Sequence, residues 1–284
     1  MCQECGCSKP GPYQVGDRKV DPHTHTHTLA DGTVVTHAHP PSLRAGAKGD
    51  APHDHGDSHG HHHAHAHQIL NLNTGILNAN DRAAAENRSA FKALNLVVLN
   101  VVSSPGAGKT ALLTRTLNDL KGRRRCAVIV GDLATDNDAA RLRTTGAPVV
   151  QIATGTLCHL EAGMVAEAMK QLDLRALDLL IIENVGNLVC PAAFDLGEAV
   201  RVVLHSVTEG EDKPLKYPPM FHSADVVGVT KTDMAAVAGF DRELALKNIR
   251  QASPRADIFE LSARTGDGVK AWCDYLAALK PTGQ

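Results

Sequence analysis

The sequence predicts an α/β protein: a mainly parallel sheet covered by helices on both faces, plus a disordered histidine-rich N-terminal tail. Three observations carry this prediction. From about residue 83 onward, short runs of Val, Ile and Leu alternate with amphipathic stretches of helical period, the pattern of strands buried on both sides. Thirteen of the 16 histidines lie before residue 68, in a tract with almost no aliphatic periodicity. The length of 284 residues suits one full domain with an appendage.

Composition narrows the class. Lys plus Arg number 29 against 31 Asp plus Glu, a net charge of −2, so no overall basic field points to nucleic acid or an anionic membrane. No run approaches the roughly 18–20 apolar residues that span a bilayer, and the opening MCQECGCSKPGPYQ lacks the pattern of a secretory signal. The expected location is cytoplasmic, where seven cysteines serve as thiols or metal ligands rather than disulfides. Aromatics make up only 3%, so the core is built from Val, Ile, Leu and Ala.

The elements follow in order. Residues 23–67 are rich in Gly, Pro, Asp and Ser, and too little apolar surface is available there to offset chain entropy. A helix is expected over Ala83–Leu94, then a buried strand in Leu96-Val-Val-Leu-Asn-Val-Val. Alternating units come next: helix Lys109–Leu120, strand Cys126–Val130, helix Asn137–Thr145, strand Val149–Ile152, helix His159–Gln171 and strand Leu179–Ile182. Apolar runs Val200–Leu204 and Val226–Val229, helix Asp241–Gln251, strand Ile258–Leu261 and helix Gly268–Leu279 complete the series. The chain therefore divides into a metal-binding tail, 1–80, and a nucleotide-binding domain, 81–284.

Directly after the first strand of that domain stands Ser103-Ser-Pro-Gly-Ala-Gly-Lys-Thr110, opening a helix. Gly106 and Gly108, with Ala107 between them, let the backbone curl so that several N–H groups face one phosphate beside a helix N-terminus. Lys109 would reach the outer phosphates, and the Thr110 hydroxyl would ligate Mg²⁺. Ser103 stands where the full pattern has Gly. This is the loop of a P-loop NTPase.

The base is read further along. Thr230-Lys231-Thr232-Asp233 follows an apolar run and approximates Asn-Lys-x-Asp. Asp233 can accept from the guanine N1–H and 2-amino group together, a donor pair that adenine lacks. Lys231 would cover the base plane with its stem, while Thr230 supplies only a hydroxyl in place of Asn, weakening affinity. Ser262-Ala263-Arg264-Thr265 matches a second base-side loop, with Ala263 offering its N–H to the base carbonyl. The two loops in this order favour GTP over ATP. Glu183, ending a buried strand, takes a Mg²⁺-side catalytic position, and Gly186 could approach the γ-phosphate. Asp132, ending another strand, could hold a metal water or orient the attacking one; for both acids the competing role is a helix cap or a solvated strand end. Asn187 stands where related enzymes carry a water-orienting Gln, so turnover is expected to be slow.

Cys2, Cys5 and Cys7 form C-x-x-C-x-C, a thiolate-rich set that suits nickel, zinc or copper(I). The histidine tract can bind several divalent ions through imidazole, in storage or buffering more than at one defined site. Cys158-His159 and Cys190 lie in loops beside strand ends and are read as metal ligands, whereas Cys126 and Cys273 read as core residues.

Together, Met-Cys-x-x-Cys-Gly-Cys, the histidine tail, SSPGAGKT, GDLATDNDAAR, TGTLCHL, ENVGNLVCPA and SART resemble the HypB family of hydrogenase nickel-incorporation proteins. The resemblance implies a P-loop GTPase that forms a homodimer around nucleotide and delivers Ni²⁺ during maturation of NiFe hydrogenase. It also implies the accessory protein HypA and the hydrogenase large subunit as partners. By matching motif, Cys2, Cys5 and Cys7 look like the family's N-terminal nickel site. Cys158, His159 and Cys190 look like its GTPase-domain site for zinc or nickel, and Gly106, Gly108, Lys109, Thr110, Lys231 and Asp233 like its nucleotide residues. Two alternatives compete. One is a urease-type accessory GTPase, although Cys190-Pro191 is followed by Ala192 rather than the His of its Cys-Pro-His motif. The other is a nickel-storage protein with a secondary nucleotide role.

Overall fold

The computed structural model describes residues 13–20, 23–28, 34–39, 64–133 and 135–281. Its strands are β1 (Tyr13–Val15), β2 (Arg18–Val20), β3 (His23–Thr28), β4 (Val34–His39), β5 (Val97–Ser103), β6 (Cys126–Asp132), β7 (Val149–Ala153), β8 (Leu179–Glu183), β9 (Val200–Ser206), β10 (Val226–Thr230) and β11 (Asp257–Leu261). The helices are α1 (Ala64–Ala93), α2 (Lys109–Asp119), α3 (Asn137–Arg143), α4 (Ala162–Met169), α5 (Lys213–Lys216), α6 (Pro218–His222), α7 (Ala235–Ala238), α8 (Arg242–Ala252) and α9 (Val269–Ala278).

One sheet organises the domain, in the order β11-β10-β9-β5-β8-β6-β7-β1-β2. Strands β5 to β11 run parallel, and β1 and β2 close the β7 edge antiparallel. The parallel strands are apolar on successive residues because both faces are covered. On one face, Val97, Leu99, Val101, Val128 and Ile181 pack against Leu112, Leu113 and Leu117 of α2, Leu142 of α3 and Trp272 of α9. On the other, Val98, Ile129 and Ile182 meet Phe91 of α1 and Met164, Val165 and Ala168 of α4. A third cluster joins Val102, Val203 and Val227 to Met220 and Phe221 of α6 and Ile249 of α8.

Trp272 anchors the first face. It is fully buried, its indole N–H donates to Thr116 Oγ1 at 3.0 Å, and Phe259 meets its ring edge-on at 5.5 Å. Trp272→Ala is expected to cost about 3–5 kcal/mol, lowering Tm by roughly 10 °C for a domain of this size in a circular-dichroism melt.

The structure departs from the sequence expectations in several places. The helix expected from Ala83 begins at Ala64, so the division at residues 80 and 81 falls inside α1. The helix expected from His159 begins at Ala162, because residues 158–161 are taken up by the site described below. Residues 13–20, expected in the tail, form a hairpin on the main sheet. Its two-residue turn, Gly16-Asp17, puts Gly16 at φ 56°, and a positive φ there matches hairpin twist.

Within the tract expected to be disordered, β3 and β4 pair antiparallel, His23 opposite His39 and His25 opposite His37. The alternating Thr-His pattern allows strand geometry, but two strands alone are marginally stable. Cys2, Cys5, Cys7 and the histidines at 53–63 lie outside the described residues.

Candidate functional site

The phosphate loop leaves the C-terminal end of β5, near the middle of the sheet, where parallel strands open a crevice. Gly106 and Gly108 adopt φ of 74° and 95°. Space does not force glycine there: a Cβ on Gly106 would meet nothing within 4 Å. The left-handed backbone does. Lys109 lies almost buried, and its Nζ donates to Ser103 Oγ at 3.0 Å. Ser103, the departure from the Gly pattern, thus steadies the lysine. Burial pulls the Lys109 pKa down against the upward pull of Glu183.

Thr110 Oγ1 donates to Glu183 Oε1 at 2.7 Å, joining α2 to β8. Glu183 is buried, and its Oε2 has no hydrogen-bond partner among the described residues. Desolvation pushes its pKa up to about 7, against the Thr110 hydrogen bond and the Lys109 charge. A carboxyl whose folded pKa is raised holds its proton longer in the folded state. Stability is then lost as pH rises from about 4.5 toward 7. Glu183→Gln should flatten that slope, raising the stability of nucleotide- and metal-free protein at pH 8 by up to about 3 kcal/mol. Melts at pH 5 and pH 8 check this. A Tm gain no larger at pH 8 than at pH 5 would contradict it.

The base-side loops close over the phosphate loop. Thr230 Oγ1 donates to the Ala107 carbonyl at 2.7 Å, and Lys231 Nζ donates to the Gly106 carbonyl at 2.7 Å. Lys231 itself is left-handed, with φ 59°. The hydroxyl that replaces Asn therefore ties the two loops together. Ser262 Oγ donates to Asp233 Oδ1 at 2.6 Å and accepts from the Thr265 N–H at 3.1 Å, holding both base-side loops beside each other. Ala263 follows, half-buried.

Asp132 is within electrostatic reach of Glu183 and Lys109 but spends its hydrogen bonds elsewhere. Its Oδ1 accepts from the Leu133 N–H at 2.8 Å and its Oδ2 from the Thr135 N–H at 3.0 Å, so here it closes its own loop. Gly186 lies against the phosphate loop, where a Cβ would come within 3.0 Å of Pro105 Cα. Asn187 spends its side chain on neighbouring loops: its amide donates to the Cys158 carbonyl at 3.3 Å and its Oδ1 accepts from the Val189 N–H at 2.9 Å.

That bond leads to the second constellation. Cys158, His159 and Cys190 bring their ligand atoms within 4.8 Å of one another, and the two sulfurs are 3.1 Å apart. His159 is 1% exposed. Neither of its ring nitrogens has a hydrogen-bond partner among the described residues, Glu161 Oε1 is 3.8 Å from Nε2, and the ring lies on Phe194 at 3.9 Å. A buried imidazole beside two thiols fits a borderline or soft divalent ion.

Several residues that build this site went unnoticed in the sequence. Asn87 of α1 donates to the carbonyls of Ala162 at 2.9 Å and Leu196 at 3.1 Å. Asn80 accepts from the Ala162 N–H at 2.9 Å and donates to the Asp195 carbonyl at 2.8 Å. Helix α1 thus pins both loops that carry the cluster. A buried chain of polar groups also crosses the sheet. Asn184 Oδ1 accepts from the Leu160 N–H at 3.2 Å, and Asn184 Nδ2 donates to Asn100 Oδ1 at 3.2 Å. Asn100 Nδ2 donates to Glu198 Oε1 at 3.1 Å. Arg201 Nε donates to the same oxygen at 2.8 Å, and its Nη2 donates to the Phe194 carbonyl at 3.1 Å. One end touches the residue after His159; the other holds the loop after Cys190. The one signal in the sequence was Asn100 itself, a polar residue inside an apolar strand run.

The phosphate loop at a strand end, with two base-side loops behind it in order, defines a P-loop GTPase. A model of the CobW/HypB/UreG nucleotide-binding domain matches residues 97–260. The chain belongs to that family, on its HypB branch. It is 54% identical to hydrogenase maturation factor HypB of Azotobacter vinelandii over 215 residues, 76% of this chain and 71% of that one. It is 43% identical to the Escherichia coli K12 factor over 288 residues, 97% of this chain and 98% of that one. Among solved structures, HypB from Helicobacter pylori in complex with nickel superposes with a TM-score of 0.66 at 44% identity, covering 69% of this chain and 93% of that one. HypB of Archaeoglobus fulgidus gives 0.65 at 39% identity, with 69% and 96% covered.

Proposed function

We propose that this protein is a GTP-hydrolysing nickel metallochaperone that delivers Ni²⁺ during maturation of NiFe hydrogenase. The observation that carries the reading is the attachment of a sulfur–imidazole cluster to the segment that leaves the phosphate site. Glu183, which bonds Thr110, is followed by Asn184, which bonds Leu160, and by Asn187, which bonds Cys158. Nickel is the ion named with the H. pylori relative, and the donor set here suits it or zinc.

The roles divide by residue. Gly106, Ala107 and Gly108 present backbone N–H groups to the phosphates, and Lys109 places a cation on the oxygens where charge develops. Thr110 and Glu183, two oxygen donors already in contact, would hold Mg²⁺, which when bound neutralises phosphate charge. Lys231, Asp233, Ser262 and Ala263 take the guanine. Asp132 orients the attacking water or a metal water once its loop opens. Turnover is slow, because Asn187 is occupied with the Cys158 loop. Residues 1–80 serve as a metal-binding tail in which Cys2, Cys5 and Cys7 form a thiolate site, and residues 81–284 as the GTPase unit, with β1 and β2 completing its sheet. The working form is a homodimer dependent on nucleotide or metal, acting in the cytoplasm with an accessory protein of the HypA kind and the hydrogenase large subunit. Among the described residues no helix is long and apolar enough to cross a membrane.

Hydrolysis moves the 183–190 segment and so changes the geometry of the cluster. Titrating nickel into protein loaded with a non-hydrolysable GTP analogue or with GDP tests this. The expected difference in affinity is about 5- to 150-fold, and identical affinities and stoichiometries would sink the reading.

A further inference from the structure

Strand β9 lies between β5 and β10, with Leu204 opposite Ser103 and Ser206 opposite Thr230. Its C-terminal end therefore stands between the strands that launch the phosphate loop and the base-side loop. The chain leaves that end in a single 3₁₀ turn, Val207–Glu209, fixed by a reciprocal cap. The Ser206 hydroxyl accepts from the Thr208 N–H at 3.3 Å, and Glu209 Oε2 accepts from the Ser206 N–H at 3.0 Å. Glu209 Oε1 accepts from Lys213 Nζ at 3.2 Å.

The same carboxylate reaches the phosphate loop. Against the upward push of burial, the Ser104 hydroxyl, the Ser206 N–H and Lys213 hold the Glu209 carboxyl below the usual carboxylate range, and Lys109 lies within reach of its charge. Ser104 is almost buried, and its hydroxyl has no other hydrogen-bond partner among the described residues. His205, fully buried, stands behind the carboxylate with Nδ1 3.9 Å from Oε2. Burial pulls the His205 pKa down, so the ring is neutral at pH 7 and leaves Glu209 to its other partners.

Ser104 is the hub of the loop's own bonds. Its carbonyl accepts from Ser103 Oγ at 2.7 Å and from the Ala107 N–H at 3.4 Å, while Ser103 Oγ accepts from Lys109 Nζ at 3.0 Å. A run of hydrogen bonds thus extends from Glu209 through Ser104 and Ser103 to Lys109. A carboxylate behind an anion site repels phosphate. Lys213 offsets that charge, and a cap alone needs no contact with Ser104.

We infer that Glu209 is a positioning residue of the GTPase: through the Ser104 hydroxyl it holds the phosphate loop in the shape that receives nucleotide. The inference rests on the reading of residues 103–110 as the phosphate site. Without this anchor the loop samples other shapes, and apparent affinity falls by the fraction of time it is competent. Bound GTP draws the loop into place, so the chemical step is kept. The signature is a raised KM for GTP at unchanged kcat, since KM reports binding when turnover is slow.

Steady-state GTP hydrolysis by the full-length protein with Mg²⁺, beside thermal melts, tests this. Glu209→Ala and Ser104→Ala should each raise KM about 10-fold, the worth of one hydrogen bond to a charged group, with kcat within about twofold. The double variant should be no worse than either single one, because both cut the same bond. Glu209→Gln, which keeps an oxygen acceptor, should recover most of the affinity. Because Glu209→Ala also removes the cap and could loosen the fold, Ser104→Ala carries the test if that variant melts early. Ser206→Ala removes the other half of the cap and should lower Tm while leaving KM unchanged. KM effects that add in the double variant, or a fall in kcat at unchanged KM, would overturn the inference. Lys109→Ala, run alongside, keeps the two readings apart: if it too leaves GTP turnover unchanged, the phosphate-site reading itself falls.

Discussion

Lys109→Ala is expected to lower GTP turnover by about 100-fold or more, without unfolding the protein. The side chain is almost buried and its charged form is already disfavoured by desolvation. Removing it therefore costs the nucleotide-free protein little, since the main lost contact is the 3.0 Å bond to Ser103 Oγ. What disappears is a preorganised cation at the place where phosphate charge develops. Single-turnover hydrolysis with a parallel thermal melt separates the two effects. The same variant also discriminates the functions. If hydrogenase activity at low nickel survives the substitution, GTP hydrolysis is dispensable and the protein acts as a nickel store.

The second large effect concerns Asn100. Replacing it with Leu, of similar volume, cuts the polar chain between Asn184 and Glu198 at its centre, where Asn100 is fully buried. Asn184 Nδ2 loses its partner at about 1–3 kcal/mol, while Glu198 Oε1 keeps Arg201, so Tm falls. The more specific expectation is functional. The GTP-against-GDP difference in nickel affinity should shrink toward onefold, because Leu160 and the Phe194 loop no longer share a connection through Asn184. Trp272→Phe, a change in the core far from this chain of bonds, serves as the comparison and should keep the difference. If Asn100→Leu retains the full nucleotide dependence, the polar chain is scaffolding and the coupling runs through the 183–190 segment alone.

Much of this protein was legible in its sequence, for physical reasons that can be named. Strands buried on both faces write themselves as Val-Ile-Leu runs, so Leu179–Glu183 and Val226–Thr230 were found within a residue of their observed ends. The phosphate loop was legible because Gly106 and Gly108 need positive φ and Lys109-Thr110 opens a helix. Cys158, His159 and Cys190 were legible as unusual donors in loops, and the fold brings their ligand atoms together. The edge hairpin was missed because three-residue strands around Gly16-Asp17 are too short for periodicity to register. Asn80, Asn87 and Arg201 were missed because their partners are backbone carbonyls over 100 residues away or on a neighbouring loop. Asp132 is the residue whose part local pattern anticipates least, since strand-end capping and catalysis demand the same side chain at the same spot.

The hairpin also protects the molecule from itself. Without residues 13–20, the β7 backbone of Val149-Val-Gln-Ile-Ala would offer its unpaired N–H and C=O groups to any neighbouring chain, an invitation to strand-on-strand aggregation. Strand β2 takes over as the outer border and presents Arg18 and Lys19 to solvent, whose charges discourage such stacking. A chain trimmed to begin at α1 should therefore remain dispersed only at low concentration, and precipitation on concentrating it would reflect this bare border rather than a misfolded nucleotide pocket.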